Sequence, residues 1–226
     1  MKAVQGLPPT LTAEQCLAVR ELVRDHTATP ALRNDALNTL ETQTANPQAG
    51  LVTELLTAWN DTKDDATWRD FALQHLAVVH ERAAPEERQQ AETLLLTVAQ
   101  DEASPSAGTA LLSLERLGRR DAALGETTRK LAKETLAAGG SNTARRLTAL
   151  CVCINAGDRE ILPLARQTVQ ETGAAARFRM ACVGALGELG DASDVATLEA
   201  LTKDKDSRVR TAATTQLASL KRRLGQ

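Results

Sequence analysis

The sequence predicts an all-α fold, a right-handed α-α superhelix of about six helical hairpins and about twelve helices. A nine-residue pattern recurs six times, with a small residue at its fifth position and, in five copies, leucine at its ninth. The copies begin at Leu32, Trp68, Ser106, Arg145, Phe178 and Val209. Their spacing of roughly 30 to 40 residues is typical of stacked helical units. Hydrophobic residues make up 42% of the chain but aromatic residues only 2%, which favours close packing of helices over a β-sandwich.

Capping residues, prolines and glycines divide the chain into helices. A capping side chain directly before a proline favours the start of a helix, because the proline then takes the first helical position without losing a hydrogen bond. Three such pairs are Thr29-Pro30, Asn46-Pro47 and Ser104-Pro105. Further signals for a helix to begin or end are Ala84-Pro85, Gly139-Gly140, Gly157-Asp158, Gly190-Asp191 and Asp206-Ser207.

Two kinds of helix are predicted to alternate along the chain. Helices that carry the pattern, called nonamer helices below, are predicted at 30–43, 66–82, 105–118, 143–155, 174–189 and 207–223. Intervening helices are predicted at 12–26, 47–59, 85–101, 121–138, 158–172 and 191–203. Each intervening helix and the nonamer helix after it form one hairpin with a short connection. Residues 1–11 are expected to form an N-terminal extension, and residues 12–226 a single repeat domain.

The second position of the pattern is arginine in five of the six copies. These arginines are Arg33, Arg69, Arg146, Arg179 and Arg210. On a helical wheel this position falls inside the apolar sector, and it lies in the first turn, where the helix dipole disfavours a cation. We therefore expect a structural row, in which each guanidinium pairs with loop carbonyls or with an acid of a neighbouring unit. Nearby acids are Asp35, Asp64, Asp65, Asp204 and Asp206. The alternative is a row of arginines that binds a ligand.

The C-terminal copies carry a family resemblance. The segment FRMACVGALGELGDASDVATLEALTKD (178–204), followed by DSRVRTAATTQLASL (206–220), resembles the short bacterial type of HEAT repeat, also found in phycobilin lyases. Earlier copies diverge more, and the copy near 106 lacks the arginine. The resemblance extends over about 29–226 and implies a HEAT or armadillo-like solenoid, with nonamer helices on its convex side. It also implies that partners bind the concave side, formed by the intervening helices.

Enzymes with a similar fold need residues that this chain does not supply. Deoxyhypusine hydroxylases need several His-Glu pairs for a di-iron centre, whereas this chain has one, His80-Glu81, and only two other histidines, His26 and His75. We expect all three histidines at the surface or at helix ends. Alkylpurine DNA glycosylases need aromatic side chains on a basic face, but the two tryptophans lie in the acidic half. No chromophore pocket, phosphate-binding loop or metal-spaced cysteine motif is present, so we expect no catalysis, no cofactor and no metal.

The cysteines favour a reducing, cytoplasmic location. Cys16, Cys151, Cys153 and Cys182 lie in apolar helical patterns, as reduced core cysteines do. Cys151 and Cys153 are two residues apart on a helix and therefore face nearly opposite sides. No apolar stretch is long enough for a membrane span or a signal peptide.

Charge is divided unevenly along the chain. Residues 1–118 hold 9 basic and 17 acidic side chains, and residues 119–226 hold 18 basic and 12 acidic ones, which together give the net charge of −2.

The expected function is a non-catalytic scaffold that binds another protein on the concave face, as a monomer or weak oligomer. Alternatives are binding of nucleic acid or another anionic ligand by the basic half, and an accessory or lyase-type role. Candidate partner-binding residues are Arg129, Lys130, Lys133, Arg159, Arg166 and Trp59.

Overall fold

The computed structural model describes residues 10–43 and 50–225, and all regular structure within these ranges is helical. The chain forms two compact units, Met1–Val98 and Ala99–Gln226. Within the described residues, no helix is both long enough and apolar enough to cross a bilayer. The predicted helix start at Asn46-Pro47 and most of the predicted extension 1–11 lie outside the described residues.

Twelve α-helices occupy the described ranges, close to the predicted number and order. The first unit contains α1 (Ala13–Arg24), α2 (Pro30–Glu41), α3 (Leu51–Asn60), α4 (Ala66–Val79) and most of α5 (Pro85–Gln100). The second contains α6 (Ala107–Gly118), α7 (Ala122–Ala138), α8 (Thr143–Asn155), α9 (Leu162–Gln170), α10 (Ala176–Leu189), α11 (Val195–Leu201) and α12 (Ser207–Arg223). The nonamer helices are therefore α2, α4, α6, α8, α10 and α12.

Local capping chemistry explains most of the helix starts. Thr29 caps α2 ahead of Pro30, and Asp121 and Asn142 accept hydrogen bonds from the first turns of α7 and α8. The predicted start at Ser104-Pro105 is wrong, because α6 begins at Ala107 and Ser104 Oγ instead accepts a hydrogen bond from the Ser106 amide within the preceding turn.

Two intervening helices open with a single turn of 3₁₀-helix that the sequence reading missed. These turns are Arg159–Ile161 before α9 and Ala192–Asp194 before α11. An aspartate caps each of them, Asp158 in the first and Asp191 in the second. The two caps place carboxylates at equivalent points of successive repeats.

Helices pack in two layers within each unit. In the second unit the nonamer helices α6, α8, α10 and α12 contact one another in succession, while α7 packs on α6 and α8, α9 on α10, and α11 on α12. In the first unit α2 packs on α4, α1 on α2, and α3 on α4. This arrangement of stacked hairpins is that of an α-solenoid, and the predicted all-α class is confirmed.

The pattern supplies the shared core of these layers. All six fifth-position residues are fully buried: Ala36, Ala72, Ala110, Ala149, Cys182 and Ala213. The ninth-position side chains are also fully buried in the first five copies, whereas Leu217 of the sixth is half-buried. Burial of a leucine contributes about 2 kcal/mol, and the small fifth residue lets neighbouring helices approach.

Two glycines bring the backbones of α6 and α7 into close contact. A Cβ atom on Gly118 would lie 2.6 Å from the Cα atom of Gly125, and a Cβ on Gly125 would lie 2.7 Å from the Gly118 carbonyl oxygen. Both obstacles are backbone atoms, so a side chain at either position forces the two helices apart.

Replacement of Gly118 by alanine is expected to lower the free energy of unfolding by about 1–3 kcal/mol, the usual cost of overpacking. The matched control is Gly184→Ala in α10, where a Cβ meets nothing within 4 Å. There the better helix propensity of alanine is expected to leave stability unchanged or raise it by up to about 1 kcal/mol. Urea unfolding of both variants provides the measurement, and equal stability of the two would contradict the close contact.

Candidate functional site

Arginines at the second position of the pattern cap the ends of their partner helices. Arg33 Nε donates to the Val23 carbonyl at 2.8 Å, and Arg69 Nε donates to the Trp59 carbonyl at 2.8 Å. Arg179 makes the same kind of contact through a terminal nitrogen, at 2.9 Å from the carbonyl ten residues earlier. Each carbonyl belongs to the last turn of the antiparallel helix in the same hairpin. The negative end of that helix dipole compensates for the cation in the first turn of the nonamer helix.

Two of these arginines also pair with an acid of the next hairpin. Arg33 binds both carboxylate oxygens of Asp64, at 2.6 and 2.9 Å, and Arg179 binds those of Asp204, at 2.6 and 3.4 Å. Both carboxylates lie in the loop that precedes the next nonamer helix. All four side chains are largely buried, so each pair links two hairpins where water screens little of the attraction.

The arginines shift the ionisation of these carboxyls. Hydrogen bonds from Arg179 hold the pKa of Asp204 below its ordinary value. At Asp64 burial acts to raise the pKa, but the hydrogen bonds and charge of Arg33 outweigh it and the pKa is lowered. Both aspartates are therefore charged at neutral pH, as the ion pairs require.

Aromatic rings form a third set of partners for the row. The Arg33 guanidinium lies 4.0 Å from the centroid of the Trp68 ring, and that of Arg146 lies 4.1 Å from the Phe178 ring. Both rings occupy the first position of the next copy of the pattern, and both are buried. Stacking of arginine on an aromatic face contributes about 0.5–2 kcal/mol per pair.

Other arginines depart from this scheme. Arg210 donates to the Asp204 and Lys205 carbonyls of the preceding loop. In the fourth copy the first-position residue, Arg145, is itself buried and donates through Nε to the Ala99 carbonyl at 2.9 Å, a contact that the sequence reading missed. Its signal was the Arg145-Arg146 doublet, which no other copy carries.

The candidate partner-binding residues of the second unit are mostly paired with acids of the following hairpin. Lys133 Nζ lies 3.0 Å from Glu160 and 3.5 Å from Asp158. Arg166 binds Asp194 at 2.7 Å and Asp191 at 3.2 Å. These acids lie in, or directly before, the 3₁₀ turns that open the next intervening helices. Arg159, in the first of these turns, lies 3.6 Å from Asp191, which caps the second.

The remaining candidate residues differ in their exposure and in whether they have a charged partner. Lys130 approaches Glu134 on the same helix at 4.0 Å and is otherwise exposed. Arg129 is exposed and has no ion pair within the described part of the chain. Trp59, in the first unit, is half-buried, and the Arg69 guanidinium covers its ring at 4.7 Å. The predicted basic residues thus form a surface of alternating charge rather than a purely cationic patch.

Comparison with protein families agrees with this geometry. Residues 128–218, which span most of α7 and continue into α12, match the model of the HEAT repeats family. This segment of the chain carries HEAT repeats. Comparison with curated proteins gives no significant match.

One histidine is a structural part of the helical packing rather than a surface group. His75 is buried in α4, with Nδ1 2.5 Å from Glu41 Oε1 and Nε2 2.8 Å from Asn34 Oδ1. The expectation of a surface or helix-end position is therefore wrong for His75, because a partner on α2 satisfies each ring nitrogen. His26 is exposed, and His80 lies at the end of α4, where Nε2 is 2.7 Å from Glu92.

The cysteines of the array also divide into two kinds. Cys153 and Cys182 are fully buried, and burial raises their pKa to about 12 and about 11. Cys151, two residues before Cys153, is exposed on the opposite side of α8, so its expected place in the core is wrong. Cys16 is half-buried. Within the described residues, no group of three or more His, Cys, Asp or Glu side chains is arranged to hold a metal ion.

Replacement of Arg179 by methionine tests whether the arginine row is structural. Methionine keeps much of the stem but leaves Asp204 and the Val169 carbonyl without their cation, and loss of one partner of a buried ion pair costs about 3–5 kcal/mol. We expect a loss of this order, measured by urea unfolding. Arg177→Met, at an exposed residue of the same helix, is the control and is expected to change stability by less than about 0.5 kcal/mol. Unchanged stability of Arg179→Met would favour the ligand-binding alternative.

Acid is expected to weaken the same linkage. Because the pKa of Asp204 is lower in the folded protein, its stabilising effect is fully present above the unfolded value of about 3.9. That effect is lost as pH falls through the folded pKa, where the carboxyl becomes protonated. The Asp204→Asn variant is expected to be less stable at pH 7 and to lose less stability on acidification. Urea midpoints measured from neutral to acid pH give the test, with exposed Glu188→Gln as control. Parallel pH profiles for the parent and Asp204→Asn would contradict it.

Proposed function

We propose that this chain is a non-catalytic scaffold that binds another protein through the face formed by its intervening helices. HEAT repeats are interaction modules, and stacked repeats of this kind present an extended binding surface. The observation that carries the proposal is the lateral ion pairing of partly exposed cations with acids of the next intervening segment, from α7 to the turn before α9 and from α9 to the turn before α11. On this account the nonamer helices hold the array together and the intervening helices provide recognition.

Ion pairing prepares this face for binding. Lys133 and Arg166 are held by two acids each, so less side-chain entropy is lost when a partner immobilises them. Alternating charges also favour specificity, because a partner with a mismatched pattern must place like charges together. These two effects suit a protein partner of defined charge pattern.

The same pairing supports a protein partner over nucleic acid. Binding to a phosphate backbone gains its free energy when cations without local partners replace counterions. Most cations of α7 and α9 already lie within 4 Å of a carboxylate, so a polyanion would meet repulsion together with attraction. The cations of this face, unlike the basic excess of the segment as a whole, are therefore largely matched by neighbouring carboxylates.

The proposal also covers thiol reactivity, the type of repeat, the cellular location and the oligomeric state. We propose no nucleophilic role for Cys153 or Cys182, since a thiol whose pKa burial raises is held protonated and is a poor nucleophile. We propose that the repeats are of the short bacterial type. We further propose that the protein acts in the cytoplasm as a monomer or weak oligomer.

Charge reversal on the intervening face tests the scaffold function. A partner isolated from the native source is expected to bind the Lys130→Glu/Arg159→Glu variant about tenfold more weakly or worse by calorimetry, because both residues are exposed on that face. The control, Arg177→Glu/Arg222→Glu, reverses two exposed arginines of α10 and α12 and should leave affinity unchanged. Equal loss in both variants, or none in either, would contradict recognition by the intervening helices.

Nucleic acid provides a separate arm of the same test. A short labelled DNA duplex is expected to show no binding at low ionic strength, where electrostatic binding is strongest. Salt-sensitive binding that Lys130→Glu/Arg159→Glu abolishes would favour the nucleic-acid alternative instead.

A further inference from the structure

A groove lies where α6 ends, α7 begins and α8 ends. Its volume is about 280 Å³, and its apolar floor includes Gly118, Ala122, Gly125 and Ala156. The groove exists because the two glycines bring α6 and α7 together without side chains between them. A groove of this size accommodates one or two peptide side chains.

The rim of the groove carries a cation that the fold leaves free. Arg129 lines the groove, is exposed, and is the one member of the candidate set in the second unit without an ion pair in the described residues. Lys133, one turn further along α7, is by contrast held by Glu160 and Asp158. Arg129 is therefore available to an external anion, and its planar fork suits a carboxylate.

A buried carboxylate in the wall of the groove already has partners. Glu115 is largely buried and receives a bidentate contact from exposed Arg119 at 3.0 Å, together with the side-chain amide of Asn155 at 3.4 Å. Because Glu115 is engaged within the wall, it leaves Arg129 available to a carboxylate of a ligand.

We propose that this groove binds an acidic segment of the partner protein. A Glu or Asp carboxylate of that segment pairs with Arg129, and a neighbouring small aliphatic side chain packs over Gly118 and Gly125. The inference rests on the proposed scaffold function, for which it names the chemistry of the partner. It also gives Arg129 a role distinct from the paired cations of α7 and α9.

Peptide titration tests this assignment directly. The probe is the peptide acetyl-Ala-Glu-Val-Glu-Ala-amide, and its glutamine counterpart serves as the uncharged control. Backbone amide signals of Gly118 and Gly125 in nuclear magnetic resonance spectra report occupation of the groove. We expect the glutamyl peptide to shift both signals, and the glutamine peptide to bind about tenfold more weakly, because a charge-assisted hydrogen bond is lost.

Two arginine variants separate the groove from general surface charge. Arg129→Met is expected to weaken binding of the glutamyl peptide about tenfold, while Arg177→Met, which removes an exposed arginine of α10 that does not line the groove, retains it. Absence of shifts at the two glycines, equal binding of both peptides, or equal loss in both variants would overturn the assignment. Equally strong shifts with inorganic phosphate would overturn the preference for a peptide carboxylate.

The two proposals fail in different ways. If the glutamyl peptide does not bind while the isolated partner still depends on Lys130 and Arg159, the groove assignment is wrong and the scaffold function stands. If the isolated partner binds independently of the intervening helices, the scaffold function is wrong, and peptide shifts then describe a groove without that role.

Discussion

Arg33, at the second position of the first copy of the pattern, meets three demands in one place. It cancels the negative end of its partner helix, pairs with Asp64 of the next hairpin, and lies against the Trp68 ring that begins the next nonamer helix. Arg179 meets the first two of these demands. A buried guanidinium without such partners would destabilise the fold by several kcal/mol. Because its partners come from two adjacent hairpins, Arg33 or Arg179 is satisfied only when those hairpins are stacked in register. The arginine therefore specifies how repeats join, whereas the alanine and leucine of the pattern specify only that they pack.

Two classes of ion pair connect the hairpins, and they differ in how much stability is lost when one partner is replaced. Arg179 and Asp204 are both largely buried, so removal of either leaves an uncompensated charge. Pairs such as Lys133 with Glu160 are exposed, and exposed pairs contribute only about 0–1 kcal/mol each. The nonamer layer is thus constrained by folding, while the outer charges of the intervening layer are free to change with the partner. This separation of roles is the physical reason to seek recognition on α7 and α9.

The sequence predicts local structure and periodic burial well, and long-range partners poorly. Helix α12 begins and ends where predicted, because the residues that cap a helix and set its periodicity are neighbours in the sequence. The predicted surface position of His75 is wrong because its hydrogen-bond partners, Glu41 and Asn34, lie more than thirty positions away in the sequence. Partners at such a distance leave no local signal. Arg145 was missed for the same reason, since its acceptor is the Ala99 carbonyl. The pairing of Lys133 with Asp158 and of Arg166 with Asp191 has a clearer sequence signal, because the two aspartates are separated by one period of the repeat.

That recurrence also accounts for the isolation of Arg129. Compensating acids sit in the 3₁₀ turns that open α9 and α11, so they neutralise only the cations that lie within reach of those turns. Lys133 and Arg166 meet this condition, whereas Arg129 lies one turn earlier on α7, beside the end of α6. There the neighbouring carboxylate, Glu115, is already engaged by Arg119 and Asn155. The free guanidinium of Arg129 above a floor of glycine and alanine is thus a consequence of where the two 3₁₀ turns place their acids.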